Sequence, residues 1–72
     1  MRTHIFCTNI NSQAQLDLLS PHLNNHNNII RWSIDLEDID AVLKVITTND
    51  LKEHDIMRLL DTEGYQCKVM TD

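Results

Sequence analysis

The sequence predicts an α+β domain with the element order βαββαβ, in which two helices cover one face of a four-stranded antiparallel sheet. Two segments repeat apolar residues at the three- and four-residue spacing of a helix, and four others alternate in the way strands do. The length of 72 residues allows one domain, residues 1–72, with one modest core.

The first strand is predicted over residues 4–10, because its apolar residues lie at alternate positions. This alternation places Ile5 and Cys7 on the face opposite Phe6. Apolar Ile10 is expected to continue the face of Phe6 to the end of the strand.

The first helix is expected to begin near Ser12, a residue type that caps helices. Its apolar stripe consists of Leu16, Leu19 and Leu23. Pro21 interrupts this stripe and predicts a bend, or else the start of a short terminal turn. The asparagine-rich segment 24–28 then ends the helix, because asparagine side chains compete for backbone hydrogen bonds.

A hairpin of two strands is predicted next, over residues 29–36 and 41–47. In the first of these strands, Trp32 occupies the apolar face and is expected to be a buried core anchor between sheet and helices. In the second, Leu43 and Val45 face the core.

The second helix is predicted to begin with a capping box formed by Asp50 and Glu53 and to end at Gly64. A last strand is predicted over residues 65–70, with Cys67 facing the helices. Cys7 and Cys67 are therefore expected to face opposite sides of the sheet and to remain reduced thiols.

Composition restricts the possible partners. Eleven acidic residues against six Lys and Arg give a formal charge of −5, which opposes binding to phosphate backbones and to anionic lipid. The chain has no long apolar stretch, so we expect a cytoplasmic protein without membrane insertion.

Four segments resemble heavy-metal-associated domains of the copper-chaperone type, and the resemblance spans nearly the whole chain. They are Thr8-Asn9-Ile10, Ser20-Pro21-His22-Leu23-Asn24, Trp32-Ser33-Ile34-Asp35-Leu36-Glu37-Asp38 and Gly64-Tyr65. The resemblance implies a ferredoxin-like fold and a Cys-x-x-Cys pair that holds a soft metal at the start of the first helix. Here that position is occupied by Ser12 and Gln15, with Tyr65 expected to pack beside the loop. A hydroxyl and an amide cannot replace two thiolates, so the chain is interpreted as a degenerate member without a metal or cofactor.

His22 and His26 are weak alternative metal ligands. Their four-residue spacing would place both imidazoles on one helix face, where they can chelate a divalent metal. The alternative interpretation is a solvated or half-packed pair at a fraying helix end, because no third ligand is evident. His54 is expected to face solvent.

The uncovered face of the sheet is a possible interaction surface. Several apolar residues are expected on it beside Lys44 and Lys68. The alternative is an ordinary exposed sheet with scattered apolar side chains. The apolar members are Ile5, Cys7, Ile30, Val42, Ile46 and Met70.

Two classes of function remain. The first is a protein-interaction or regulatory module that has lost soft-metal binding. The second is metal-ion binding, or copper or heavy-metal trafficking, through non-thiolate or partner-supplied ligands. The sequence presents no combined nucleophile, base and orienting group, so no enzyme is predicted. A protein partner is expected, with the chain itself a monomer or a weak homodimer.

Overall fold

The chain folds into six elements in the predicted order. The structure, a computed structural model, describes residues 1–70. The four strands form one antiparallel sheet with the spatial order β2-β3-β1-β4, which confirms the predicted fold class. Neither helix in this part of the chain is long and apolar enough to cross a membrane. The elements are β1 (Arg2–Thr8), α1 (Gln13–Asn24), β2 (Ile29–Ile34), β3 (Leu43–Thr47), α2 (Glu53–Thr62) and β4 (Cys67–Val69).

The core lies between one face of the sheet and both helices. Phe6, Leu43 and Val45 point from the two central strands into this layer and are fully buried. Leu19 of α1 and Leu60 of α2 are also fully buried in the same cluster, so both helices cover the same face. The opposite face of the sheet is left without a covering layer of helices.

All four strands differ from their predicted ranges by one or two residues at an end. The end of β1 and the start of β3 show why. Because β1 ends at Thr8, Ile10 enters the core from the following loop, where its side chain is 1% exposed. The Thr8 hydroxyl supports this loop by accepting a hydrogen bond from the Ile10 amide. At the other boundary, β3 begins at Leu43 because Ala41 has a φ of 42°, which lies in the left-handed region and is incompatible with a strand.

Pro21 lies inside α1, near its end, and the helix continues to Asn24. The Pro21 carbonyl still accepts a hydrogen bond from the Asn25 amide at 3.0 Å. The missing donor of Pro21 is therefore tolerated near the helix terminus, where few further turns depend on it.

The start of α2 differs from the predicted capping box. Lys52 is the N-cap residue of the helix. The Lys52 backbone amide donates a hydrogen bond to the Asp55 carboxylate at 3.0 Å. Asp50 lies in the turn before the helix. The next residue, Leu51, is buried in the core, and the helix begins only after it. This backbone hydrogen bond is the main cause that lowers the pKa of Asp55, with smaller contributions from His54, Arg58 and Lys52.

The end of α2 confirms the predicted glycine stop. Gly64 has a φ of 88°, and its amide donates to the Asp61 carbonyl at 2.9 Å. The next amide, that of Tyr65, donates to the Leu60 carbonyl at 2.9 Å. This pair of bonds is a Schellman motif, and it turns the chain so that Tyr65 points back toward α1.

Trp32 is half-buried, so the expectation of a fully buried anchor is wrong. It lies on β2, which is an edge strand of the sheet, and its ring packs against the margin of the core. Its indole Nε1–H donates a hydrogen bond to the Asn24 Oδ1 at 2.8 Å near the surface. The helices cover the centre of the sheet more completely than this edge.

Candidate functional site

Ser12 stands at the N-terminus of α1, where it acts as the helix cap. Its backbone is extended, with φ −149° and ψ 155°, and its Oγ accepts a hydrogen bond from the Gln15 amide at 3.2 Å. The hydroxyl therefore satisfies one of the amides that a helix leaves without a partner in its first turn.

Gln15 completes the cap from inside the helix. Its Oε1 accepts a hydrogen bond from the Asn11 amide at 2.8 Å, so the side chain reaches back over the start of α1. Ser12 and Gln15 together form a variant of the capping box, with the second bond directed to the residue before the cap. Both side-chain oxygens are thus occupied by backbone donors.

A third residue predicted for this site, Tyr65, joins the loop to the other end of the chain. Its hydroxyl donates to the Gln15 carbonyl at 3.2 Å, which confirms that it packs beside the first turn of α1. Next to it, the Gln66 amide donates to Asn9 Oδ1 at 2.9 Å, and the Asn9 amide donates to the Gln66 carbonyl at 3.2 Å. Hydrogen bonds to residues 65 and 66 therefore hold both the start of the loop, at Asn9, and the first turn of α1 in place.

His22 and His26 do not share a helix face, because α1 ends at Asn24. His22 Nε2 lies 3.2 Å from Glu63 Oε2 instead, so it faces the end of α2. His26 Nδ1 accepts a hydrogen bond from the Asn28 amide at 3.1 Å in the following turn. Within residues 1–70, no group of three His, Cys, Asp or Glu side chains is placed to hold a metal ion.

His4 is a buried polar residue that the sequence pattern did not single out. Its Nε2 lies 3.0 Å from the Thr47 hydroxyl, and its ring stacks on Phe6 with centroids 6.3 Å apart. Its position two residues from Phe6 places it on the same, core-facing side of β1, so the alternation contained the signal. His4 is therefore a core residue whose imidazole has a hydrogen-bond partner.

The fold is shared with known copper-binding domains. No protein-family model and no curated protein matches the chain in sequence. Among solved structures, a domain of the Atx1–Cu(I)–Ccc2a complex has a TM-score of 0.85 at 16% identity, over 100% of this chain and 99% of that chain. A copper-binding domain from HMA7, a P-type ATPase, has a TM-score of 0.83 at 19% identity, over 99% and 96% of the two chains.

The chain has the fold of a heavy-metal-associated domain. A further match, to the first domain of the human copper chaperone for SOD1, has a TM-score of 0.79 at 24% identity, over 93% and 89% of the two chains. The family resemblance of the sequence is thereby confirmed as a likeness of fold. Since a fold serves several functions, metal binding must be argued from this chain's own residues.

The two cysteines occupy opposite faces of the heavy-metal-associated fold, as predicted. In the pairing of β1 with β4, Cys7 lies opposite Lys68 and Cys67 lies opposite Thr8. Cys67 packs against the core, and both thiols are free. Burial, followed by the nearby charge of Asp61, raises the pKa of the Cys67 thiol. The buried thiol is therefore a poor source of thiolate.

The open face of this fold combines apolar and cationic side chains. Ile5 is 39% exposed and Ile30, at a bulge in β2, is 53% exposed. The other four residues predicted for this face, Cys7, Val42, Ile46 and Met70, are half-buried. Arg31, Lys44 and Lys68 are exposed among them. Lys44 and Lys68 were expected on this face, and Arg31 joins them.

Proposed function

We propose that this chain is a cytoplasmic protein-interaction module that uses the heavy-metal-associated fold without carrying a soft metal. One observation supports the proposal above others: Ser12 and Gln15, which occupy the metal-loop position in the resemblance, both serve as caps of α1. The function proposed is binding, not catalysis.

The chemistry of the loop favours this interpretation. Soft ions such as Cu(I) prefer thiolates, whereas a hydroxyl and a carboxamide are neutral, hard donors. If Ser12 and Gln15 turned away from the backbone to bind a metal, the hydrogen bonds from the Gln15 and Asn11 amides would be lost. Losing such a helix cap typically costs about 0.5–2 kcal/mol. The Tyr65 hydroxyl adds a further contact that holds the loop in its present form.

The likeness to copper-binding neighbours favours a second candidate function. One neighbour comes from the Atx1–Cu(I)–Ccc2a complex, in which a copper ion and two proteins occur together. In this alternative, the chain takes part in copper or heavy-metal trafficking with non-thiolate or partner-supplied ligands. His22 and His26 are the remaining imidazole candidates near one another in sequence, although His26 already accepts a backbone hydrogen bond.

Cu(I) titration in competition with a strong chelator separates the two functions. We expect the unmodified chain to bind Cu(I) no better than a variant with His22→Ala and His26→Ala, because neither has a thiolate pair in the loop. Stoichiometric Cu(I) binding by the unmodified chain against that chelator would refute the proposed loss of metal binding.

A gain-of-function pair of variants tests the position of the site. Ser12→Cys with Gln15→Cys should create Cu(I) binding, because it places two thiols in the first turn of α1. The matched control is Ser12→Cys with Gln13→Cys, since Gln13 is exposed and its side chain bonds to Asp17. Equal Cu(I) affinity in both folded variants would contradict the assigned position.

A further inference from the structure

Charge is distributed unevenly between the sheet and the rest of the molecule. The four strands contain no Asp or Glu, although acidic residues outnumber Lys and Arg by 11 to 6 in the whole chain. The acidic residues of the described chain all lie in helices and loops. The strands instead contain the cations Arg2, Arg31, Lys44 and Lys68.

Three of these cations form a diagonal across the open face. Arg31 lies opposite Ile46, Lys44 opposite Ile5, and Lys68 opposite Cys7, so that each has an apolar side chain or a thiol on the adjacent strand. The cations lie on β2, β3 and β4 and advance two residues along the sheet at each step. With strands about 4.8 Å apart and residues about 3.3 Å apart, the diagonal spans roughly 20 Å.

No carboxylate within residues 1–70 neutralises this diagonal. The ion pairs in that part of the chain involve His22 and His54, and no acidic side chain lies within 4.0 Å of Arg31, Lys44 or Lys68. All three side chains are exposed. Among the described residues, these three cations therefore have no carboxylate partner, and they lie beside the uncovered apolar surface, where carboxylates of a partner can reach them.

We propose that the open face binds an acidic amphipathic segment of a partner protein. The partner's carboxylates pair with Arg31, Lys44 and Lys68, while its apolar side chains cover Ile5 and Ile46. Exposed ion pairs add little affinity on their own, so burial of apolar surface supplies most of the binding energy and the cations select the partner. The inference rests on the proposed interaction function and specifies the chemistry of its partner.

Nucleic acid fits this face less well. Single strands bind on aromatic platforms, and the aromatic residues Phe6, Trp32 and Tyr65 belong to the core or pack against it from the helix side. The net charge of −5 also repels a phosphate backbone at longer range. A short acidic peptide with apolar residues is complementary both to the cations and to the apolar side chains of the open face.

The experiment uses a fluorescent amphipathic peptide of Leu and Glu as the probe and the same peptide with Gln in place of Glu as its neutral counterpart. We expect the acidic peptide to bind and to shift the amide NMR signals of β1 and β3. The variant Lys44→Glu with Lys68→Glu should weaken binding about tenfold or more. The control Lys52→Glu with Arg58→Glu, which makes the same charge change on the helix side, should bind like the unmodified chain.

Any of the following results would overturn the inference: equal binding of the neutral peptide, equal weakening by both double variants, shifts confined to the start of α1, or tighter binding of a single-stranded RNA oligonucleotide. Concentration-dependent shifts of the protein alone that cover the whole face would assign it to a second copy instead, and would overturn the inference too. The Cu(I) titration remains a separate test: a chain that binds neither the peptide nor Cu(I) refutes this inference alone, whereas Cu(I) binding refutes the proposed function.

Discussion

At the scale of single residues, Ser12 and Gln15 show how two neutral side chains can satisfy the start of a helix. The start of a helix concentrates unpaired amide donors, which stabilise negative charge and donate hydrogen bonds to nearby oxygens. A thiolate at this place is stabilised by the same donors that here bond to the Ser12 hydroxyl and the Gln15 amide oxygen. In this chain the groups that accept from these donors carry no charge.

The contribution of the Ser12 cap can be measured directly. Ser12→Ala removes the acceptor for the Gln15 amide and should lower the free energy of unfolding by about 0.5–2 kcal/mol. Gln13→Ala is the matched control, because it removes an exposed side-chain bond to Asp17 in the same turn, worth about 0.2–0.5 kcal/mol. Urea denaturation followed by circular dichroism gives both values, and equal losses would show that Ser12 is not an effective cap.

The reactivity of Cys67 should depend on pH in a defined direction. Burial and the charge of Asp61 raise the pKa of the thiol, so at a given mildly alkaline pH less thiolate is present than in an ordinary cysteine. We expect slow alkylation of Cys67 by iodoacetamide, with a rate profile displaced toward higher pH. Asp61→Asn removes the second cause and should accelerate the reaction. An unchanged profile in that variant would mean that burial alone governs the thiol.

The sign of the linked stability effect follows from the same shift. The folded state holds the Cys67 proton more tightly than the unfolded state, because its pKa is raised on folding. This contribution to stability is fully present below the unfolded pKa and is lost as pH rises through and above that value. The protein should therefore be less stable in strongly alkaline solution than at neutral pH.

At the scale of elements, the two edge strands, β2 and β4, are less covered on their helix side than the two central strands. In β2, only one of the six residues, Ile29, is buried, and it is still 9% exposed. The side chain of Trp32 compensates in part, because its ring covers the margin of the core and its Nε1 bonds to Asn24 of α1. Tryptophan suits a position between core and solvent, because its ring can pack on apolar side chains while its Nε1–H reaches a polar partner.

Trp32→Ala should therefore destabilise the protein less than truncation of a central core residue. A fully buried aromatic residue typically costs about 3–5 kcal/mol on truncation to Ala. We expect about half of this for Trp32, and the full cost for Phe6→Ala, since Phe6 is 0% exposed. Denaturation curves of both variants provide the comparison. A loss for Trp32→Ala equal to that of Phe6→Ala would place the indole in the core after all.

At the scale of the whole molecule, the sequence determined the order and faces of the elements better than their positions in the sheet. Alternation identified the buried faces of β1 and β3, and the lone glycine correctly marked the end of α2. Alternation does not reveal which strand is at an edge, so the exposure of Trp32 was missed. The start of α2 was also missed, because residue types that cap helices are common in loops as well. The helix begins after Leu51, and the burial of Leu51 depends on tertiary packing that local sequence does not show.

The candidate site was predictable to a similar extent. The loop positions Ser12, Gln15 and Tyr65 came from the family resemblance and meet in the structure. The pairing of His22 with Glu63 depends on how the two helices end beside each other, which spacing within one helix cannot show. Alternation already placed Lys44 and Lys68 on the open face. Their diagonal arrangement with Arg31 was not predicted, because it depends on the register between strands that are far apart in sequence.

The strand order also has a consequence for how the chain folds during synthesis. β1 is made first, yet it occupies the centre of the sheet, between β3 and β4. Phe6 pairs with Val69, so this part of the sheet closes only after residue 69 has left the ribosome. Contacts so distant in sequence fold slowly, because loop-closure entropy is lost before they form. Until then, β1 presents an unpaired edge, and the growing chain is most exposed to wrong pairing at its first strand.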